Sequence, residues 1–369
     1  MEFNLKLKSL SDALDLGVIN SNVSKFYQKS CLAQLTATKE KLIVNLEASR
    51  ILTEIDIPGS SDIDEIASIF VDSLLLKQLV STLEYPDLTL EFTPNVLILH
   101  SGKSKFNLPK VLDAEDLAFN KPSTVTGSES AIDLDSSAWK YVKDTQMYAI
   151  AMSVVNPVYT NVWAGELGDV IVGDFDNSLF THSKSSNLKK TCLLTDTIIN
   201  LFNSVPEGAK IIPVNDKYVI EVLNDEYHYI CEFSPKYESD ENIGSYNSDI
   251  ILKILEKPET GYVATNRSLI YKYLSQAELL SSGTDATITF EFRGNDVVIK
   301  DQNIECILEC ESHDAKSYTA VFKLSMIKDV FNSYTENRIN IAPMMQDDEL
   351  GGIVVWDDKL TSVLAVIEE

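Results

Sequence analysis

Three groups of residues have types and spacings that could do chemistry. Cys306-Ile-Leu-Glu-Cys310, followed by His313, resembles half of a zinc site, because thiolate and imidazole are ligands that zinc prefers. No second ligand pair of matching spacing follows, and NIECILEC reads more simply as an apolar-rich strand. The segment VIVGDFDNSLF, Val170 to Phe180, sets Asp174 and Asp176 two residues apart behind an apolar run. A turn between two strands is the plainer use of Asp-x-Asp-Asn, since these side chains bond nearby backbone N–H groups. The four histidines, His100, His182, His228 and His313, form no local ligand cluster. No phosphate loop, G-x-S-x-G or H-E-x-x-H motif is present. The expectation is no resident metal, no cofactor and no enzyme activity.

One catalytic alternative stays open. Val170–Phe180 resembles the first motif of haloacid-dehalogenase phosphatases: an apolar strand, Asp-x-Asp, a small hydroxyl residue and Leu. That resemblance implies Asp174 as the group attacking phosphorus and Asp176 as acid/base, both helping to bind Mg²⁺. Asp357-Asp358 after IVVW would supply a distal acidic pair. Such chemistry needs a parallel sheet with alternating helices. The stretch after Phe180, THSKSSNLKKTCLLT, has no strong amphipathic helix.

The elements that must position these residues repeat along the chain. Leu76, Leu79, Val80 and Leu83 sit at i, i+3, i+4 and i+7, one face of a helix. An offset of 122 gives Ile198, Leu201, Phe202 and Val205, and a further 129 gives Ile327, Val330, Phe331 and Tyr334. All twelve are apolar or aromatic, so the register belongs to a repeat rather than to chance. A weaker repeat opens each third with another helix, at FNLKLKSLSDALDLGVI, SAIDLDSSAWKYVKD and TGYVATNRSLIYKYLSQAELL. Strand-like runs follow each helix, as at Ala33–Thr38, Leu42–Leu46, Val158–Ala164, Val170–Val172, Thr287–Phe292 and Asp296–Ile304. Turn signals such as Ser101-Gly102 and Arg293-Gly294-Asn295-Asp296 lie between strands, which favours antiparallel pairing. The predicted class is α+β: three similar domains, 1–122, 123–245 and 246–369, each with two short helices on antiparallel sheets. Ser123–Glu129 and Tyr237–Ser248 read as linkers between them.

Composition bounds the function. The chain has 369 residues, 44% hydrophobic and 24% charged, which excludes wholesale disorder. Its apolar runs, such as Met147–Met152 and Val363–Ile367, are too short to cross a membrane. MEFNLKLKSLSDALDL has no signal-peptide core, and five cysteines lack disulfide-framework spacing, so a soluble cytoplasmic protein is expected. The net charge is −25, distributed −5, −10 and −10 over the thirds. Any contact with nucleic acid must therefore come from particular faces.

Length, threefold repetition and the segment HSGKSKFNLP, His100 to Pro109, resemble bacterial three-domain DNA polymerase sliding clamps. HSGKSKFNLP is similar to that family's Ser-Gly-basic-Ser-basic-Phe hairpin, and VDSLLLKQLVSTLEYPDLTLEF to its second helix and following strand. The thirds after the first diverge more, which would suit a phage-encoded or distant member. The resemblance implies a head-to-tail homodimeric ring around duplex DNA, six domains with twelve helices lining the hole. Its partners would be double-stranded DNA without sequence preference, a replicative polymerase and a clamp loader, in a bacterial or infected cell. Candidate DNA-facing residues are Lys77 and Lys328 at one repeat position, Lys140 and Lys143 on the second third's first helix, Arg267 and Lys272 flanking the last third's first helix, and Lys103 and Lys105 in the hairpin. The family's partner-peptide pocket maps onto GDFDNSLF and the terminal SVLAVIEE, giving Phe175, Leu179, Val363, Leu364, Val366 and Ile367. The family's Met-Pro-Met ending is absent.

Overall fold

Each predicted apolar stripe folds as a helix. In a computed structural model that describes residues 1–18, 32–48, 51–111, 119–123, 131–151, 157–236, 246–281, 286–346 and 349–367, seven α-helices occur among the described residues. They are α1 (Leu7–Gly17), α2 (Ser73–Ser81), α3 (Ser136–Thr145), α4 (Asp196–Ser204), α5 (Ser248–Ile254), α6 (Arg267–Leu280) and α7 (Leu324–Ser333). Of the twelve stripe positions, ten on and beside α2, α4 and α7 are buried, while Leu79 and Leu83 are half-buried. Caps fix the starts of two helices. The Asp72 carboxylate accepts from the Leu75 N–H at 2.8 Å, and the Asn266 side chain accepts from the Leu269 N–H at 3.2 Å.

Helix α5 was not expected. Its first residue and Tyr246 fall in a stretch read as linker, yet Tyr246 and Ile251 are wholly buried. The remainder of that linker, 237–245, lies outside the described residues, as do 124–129 of the other and Cys31.

Every ladder among the described residues is antiparallel. The class is α+β, as predicted. By its contacts the chain divides into two compact units, Met1–Ser137 with Asp196–Pro235, and Ala138–Thr195 with Lys236–Glu369.

In the first unit the strands run Ser104–Pro109, Val96–Ser101, Asp87–Phe92, Glu2–Lys6, Ile51–Ser60, His228–Phe233, Lys217–Leu223, Lys210–Val214 and Ile132–Asp133 across one sheet. Lys41–Ala48, Leu32–Ala37 and Ala67–Asp72 branch from Ile51–Ser60. That strand alternates buried and half-buried residues from Ile51 to Ile57, so one face meets the core. It also pairs with His228–Phe233 over six residues, from Ile51↔Phe233 to Asp56↔His228, which stitches the first third of the sequence to the second.

In the second unit nine strands run Cys192–Leu194, Val162–Ala164, Asp169–Asp174, Leu179–Lys184, Leu360–Ala365, Glu349–Trp356, Arg338–Gln346, Tyr262–Asn266 and Glu311–His313. Leu179–Lys184 pairs with Leu360–Ala365, stitching the second third to the last in the same manner. A separate four-stranded sheet runs Glu305–Glu309, Asp296–Lys300, Thr287–Phe292 and Tyr318–Lys323. The sequence repeat and the contact units differ for this reason: backbone ladders cross the boundaries between thirds and bind halves of the middle third to different neighbours.

Candidate functional site

The Asp-x-Asp segment closes a hairpin. Asp169–Asp174 and Leu179–Lys184 pair antiparallel, with Asp174 opposite Leu179. One carboxylate oxygen of Asp174 accepts from the Asp176 N–H at 2.9 Å and the Asn177 N–H at 3.4 Å; the other accepts from the Asn177 side-chain amide at 2.6 Å. Asp174 is spent on the turn, and Asp176 is exposed. Asp357 does the same farther on, accepting from the Lys359 and Leu360 N–H groups at 2.8 Å each. The phosphatase alternative built on Asp174 and Asp176 is thereby corrected: the sheet is antiparallel, and no group of metal-ligating side chains assembles among the described residues. Cys306, Cys310 and His313 likewise belong to no such group among the described residues.

The hairpin instead positions aromatic side chains. Gly173 lies opposite Phe180, and a Cβ at Gly173 would collide with the Phe180 ring. Phe175, half-buried at the turn, has its ring 4.5 Å from that of Tyr159 and 4.7 Å from that of Phe180. Tyr159 in turn lies 4.9 Å from Tyr246, whose hydroxyl donates to the Ile171 carbonyl at 3.2 Å. Burial pushes the Tyr246 hydroxyl well above its ordinary pKa, so it stays a neutral donor. Trp163, Trp356, Val363, Met344 and Ile251 of α5 are also part of the cluster.

Alternation across the sheet divides the predicted pocket residues between two faces. Phe180 and Val363 are paired and face the aromatic cluster. Leu179 and Leu364 are paired on the opposite face, with Thr181, Ser183 and Ser362. There Gln146, at the end of α3, donates to Thr181 Oγ1 at 3.2 Å and accepts from Ser183 Oγ at 2.8 Å. Leu179, Val363 and Leu364 are buried, whereas Phe175, Val366 and Ile367 are half-buried. Residues 365–367 are tied down: the Ala365 N–H donates to Ser178 O at 3.1 Å, Val366 to Gly351 O at 3.1 Å and Ile367 to Val321 O at 2.9 Å. The aromatic partners Tyr159, Trp163 and Tyr246 were missed from sequence, although VVNPVYTNVWAG carries two of them beside a Pro turn.

The eight predicted cations have three different fates. Lys77 on α2 pairs with Asp15 of α1 at 3.0 Å and donates to Val18 O at 3.3 Å. Lys328 on α7 pairs with Glu278 of α6 and lies 5.7 Å from the Tyr271 ring centroid. The Glu278 hydrogen bond holds the Lys328 ammonium above its ordinary pKa. These equivalent repeat positions thus make equivalent helix-to-helix pairs, and the middle repeat puts buried Ile199 there. Arg267 is a helix cap: its guanidinium donates to Tyr334 O at 2.7 Å, Phe331 O at 3.3 Å and Asn332 O at 3.5 Å, at the C-terminal end of α7. Lys140, Lys143, Lys272, Lys103 and Lys105 are exposed, with Lys105 3.9 Å from Glu91.

Among the described residues the helix pairs α1–α2, α3–α4 and α6–α7, with α5 in addition, lie with antiparallel sheets joined across the repeats, and this fold is shared with solved bacterial DNA polymerase sliding clamps. Three solved structures illustrate the likeness. A chain from Eubacterium rectale, proposed as a DNA polymerase III beta subunit, superposes with a TM-score of 0.79 at 15% identity over 100% of both chains. The DNA polymerase III beta subunit of Thermotoga maritima gives 0.77 at 12%, over 100% of this chain and 99% of that one. The DNA polymerase sliding clamp of Bacillus subtilis gives 0.74 at 14%, with the same coverage. No protein-family profile and no curated protein sequence matches the chain. These neighbours come from bacteria and lend no support to a phage origin. No helix among the described residues is long and apolar enough to cross a membrane.

Proposed function

We propose that this protein is a non-enzymatic DNA polymerase sliding clamp: three clamp domains per chain, two chains closing head to tail around duplex DNA. The observation that carries the reading is fold correspondence along the whole of both chains, at identities too low to preserve much else. Ring closure needs complementary edges. Strand Ser104–Pro109 ends the large sheet of the first unit, and Glu305–Glu309 ends the four-stranded sheet of the second. Among the described residues neither strand pairs on its outer side, so each offers a row of backbone groups to a further strand. Lys103 and Lys105 mark the first edge, and Glu305 and Glu309 the second, flanking Ile307, which is 60% exposed. Lys103 and Lys105 therefore suit a subunit contact as well as a DNA contact.

Inside the ring, DNA is held by topology. Exposed Lys140, Lys143 and Lys272 supply weak phosphate attraction, while Lys77 and Lys328 are half-neutralised by their own carboxylates. Sequence readout is unnecessary, because phosphate contacts carry no base information. Partner peptides of polymerase and loader would anchor beside Phe175, Val366 and Ile367, over the aromatic cluster.

The test is solution mass followed by DNA retention. Light scattering should give about 82 kDa, twice the 41.1 kDa chain. The protein, once loaded, should stay on circular DNA and run off when the circle is cut. A monomer at every concentration, or equal retention on cut and closed DNA, would refute the ring.

A further inference from the structure

The first unit holds a cleft of about 610 Å³ that the ring reading does not use. Its floor is the ladder joining Ile51–Ser60 to His228–Phe233, at Asp56 and His228. Its walls are the Thr38–Lys41 turn, the loop through Asp64–Ile66, and the turn from Leu223 to Tyr227. Two apolar residues from separate loops stand in water at its rim: Ile66 is 76% exposed and Leu223 74%. Exposed aliphatic side chains that share one cleft mark a binding surface more often than scattered ones do.

The polar lining specifies the charge of the occupant. Asp56 has one carboxylate oxygen taken by Lys41 at 2.5 Å, while its other oxygen is buried without a hydrogen-bond partner. Glu40, Asp64 and Glu65 are exposed around it, with Lys39 as the only cation among them that is not already paired. This surface repels phosphate and nucleic acid. A bare metal ion is also a poor fit, since no ligand group of three assembles here among the described residues. The remaining chemistry is an organic cation beside apolar carbon.

We propose that this cleft docks a peptide segment of a partner protein, with an arginine or lysine directed at Asp56 and a flanking aliphatic residue over Leu223 and Ile66. An arginine would bring several N–H donors to the acidic rim of Glu40, Asp64 and Glu65 and to the exposed part of the Asp56 side chain, which is 24% accessible. Its aliphatic neighbour would cover the exposed leucine and isoleucine, which a polyamine could not do.

The probe is a fluorescein-labelled octapeptide with two arginines alternating with leucines, titrated into the full chain without DNA and read by fluorescence anisotropy. The controls are the same peptide with glutamate for arginine, and the Phe175→Ala protein, which alters the other candidate peptide site. Saturable binding is expected, weakened about ten-fold or more by Leu223→Ser with Ile66→Ser, by Asp56→Asn and by the glutamate peptide, and kept in Phe175→Ala. Both rim residues are exposed, so their serine variants should keep the melting temperature of the parent. Absence of binding, affinity within about two-fold for the rim variants, or loss of binding in Phe175→Ala would overturn the proposal. None of these outcomes bears on ring closure, which the solution mass tests separately.

Discussion

Arg267 separates a structural cation from a DNA-binding one. Its guanidinium reaches three carbonyls at the end of α7, and the Tyr334 contact at 2.7 Å is the shortest. Hydrogen bonds from a charged donor contribute about 1.5–3 kcal/mol each, and the two longer ones add less. The residue is half-buried, so solvent screens part of that gain, and removing the side chain should cost about 2 kcal/mol. For a unit of this size, that lowers the melting temperature by about 4–8 °C. Lys272, exposed on the same helix, should change it by under about 2 °C when replaced by alanine. The assay is thermal unfolding of Arg267→Ala, Lys272→Ala and Arg267→Lys side by side. Lysine should not rescue, because one ammonium cannot span three carbonyls. Equal melting temperatures for Arg267→Ala and the parent, with DNA retention lost, would refute the capping role and restore Arg267 to the DNA surface.

Further outcomes follow from other contacts. Lys77→Met and Lys328→Met should each cost about 0.2–1 kcal/mol in denaturant unfolding, and Lys77→Glu should cost more, because it sets a second carboxylate against Asp15. Equal effects of Met and Glu would remove the pair from the account. Glu232 has its side chain 3% exposed. Burial pushes its pKa up, but hydrogen bonds from Lys217 and Ser123 outweigh burial and hold it below the ordinary 4.5. Its stabilisation is therefore complete above pH 4.5 and disappears as pH falls through the lowered value, so Glu232→Gln should flatten the acid limb of a stability–pH curve. An unchanged acid limb would contradict this. Glu305→Lys with Glu309→Lys should weaken dimerisation about ten-fold, and Lys103→Glu with Lys105→Glu should restore it in the same chain. Failure of the second pair to rescue would separate these edges from the subunit contact.

The helices were legible because their signal is local. Leu76, Ile198 and Ile327 keep one register through three repeats, and burial follows it at ten positions of twelve. The Asp174 turn was legible for the same reason, since its acceptors and donors lie within three residues. Helix α5 was missed because the acidic, Gly-containing run before it reads as linker, and the apolar Ile250 to Leu255 that follows is short. Ladders between thirds, Ile51↔Phe233 and Leu179↔Leu364, join residues far apart in sequence and leave no local trace.

The candidate site was half legible, and the missing half has one physical cause. Sequence position tells which residues share a repeat, while function depends on what each side chain meets after folding. Lys77 and Lys328 share a position and also a fate, each paired with a carboxylate from the preceding helix. The middle repeat has buried Ile199 at that position, and Lys140 and Lys143, both on α3, are exposed without an equivalent ion pair among the described residues. A ring of two chains, each with net charge −25, would then rely most on the middle third of each chain to tolerate DNA. The salt dependence of DNA retention should accordingly respond to Lys140→Ala with Lys143→Ala more than to Lys77→Met with Lys328→Met. Equal slopes for the two double variants would show that the helix-to-helix pairs open on DNA and that all three repeats share the load.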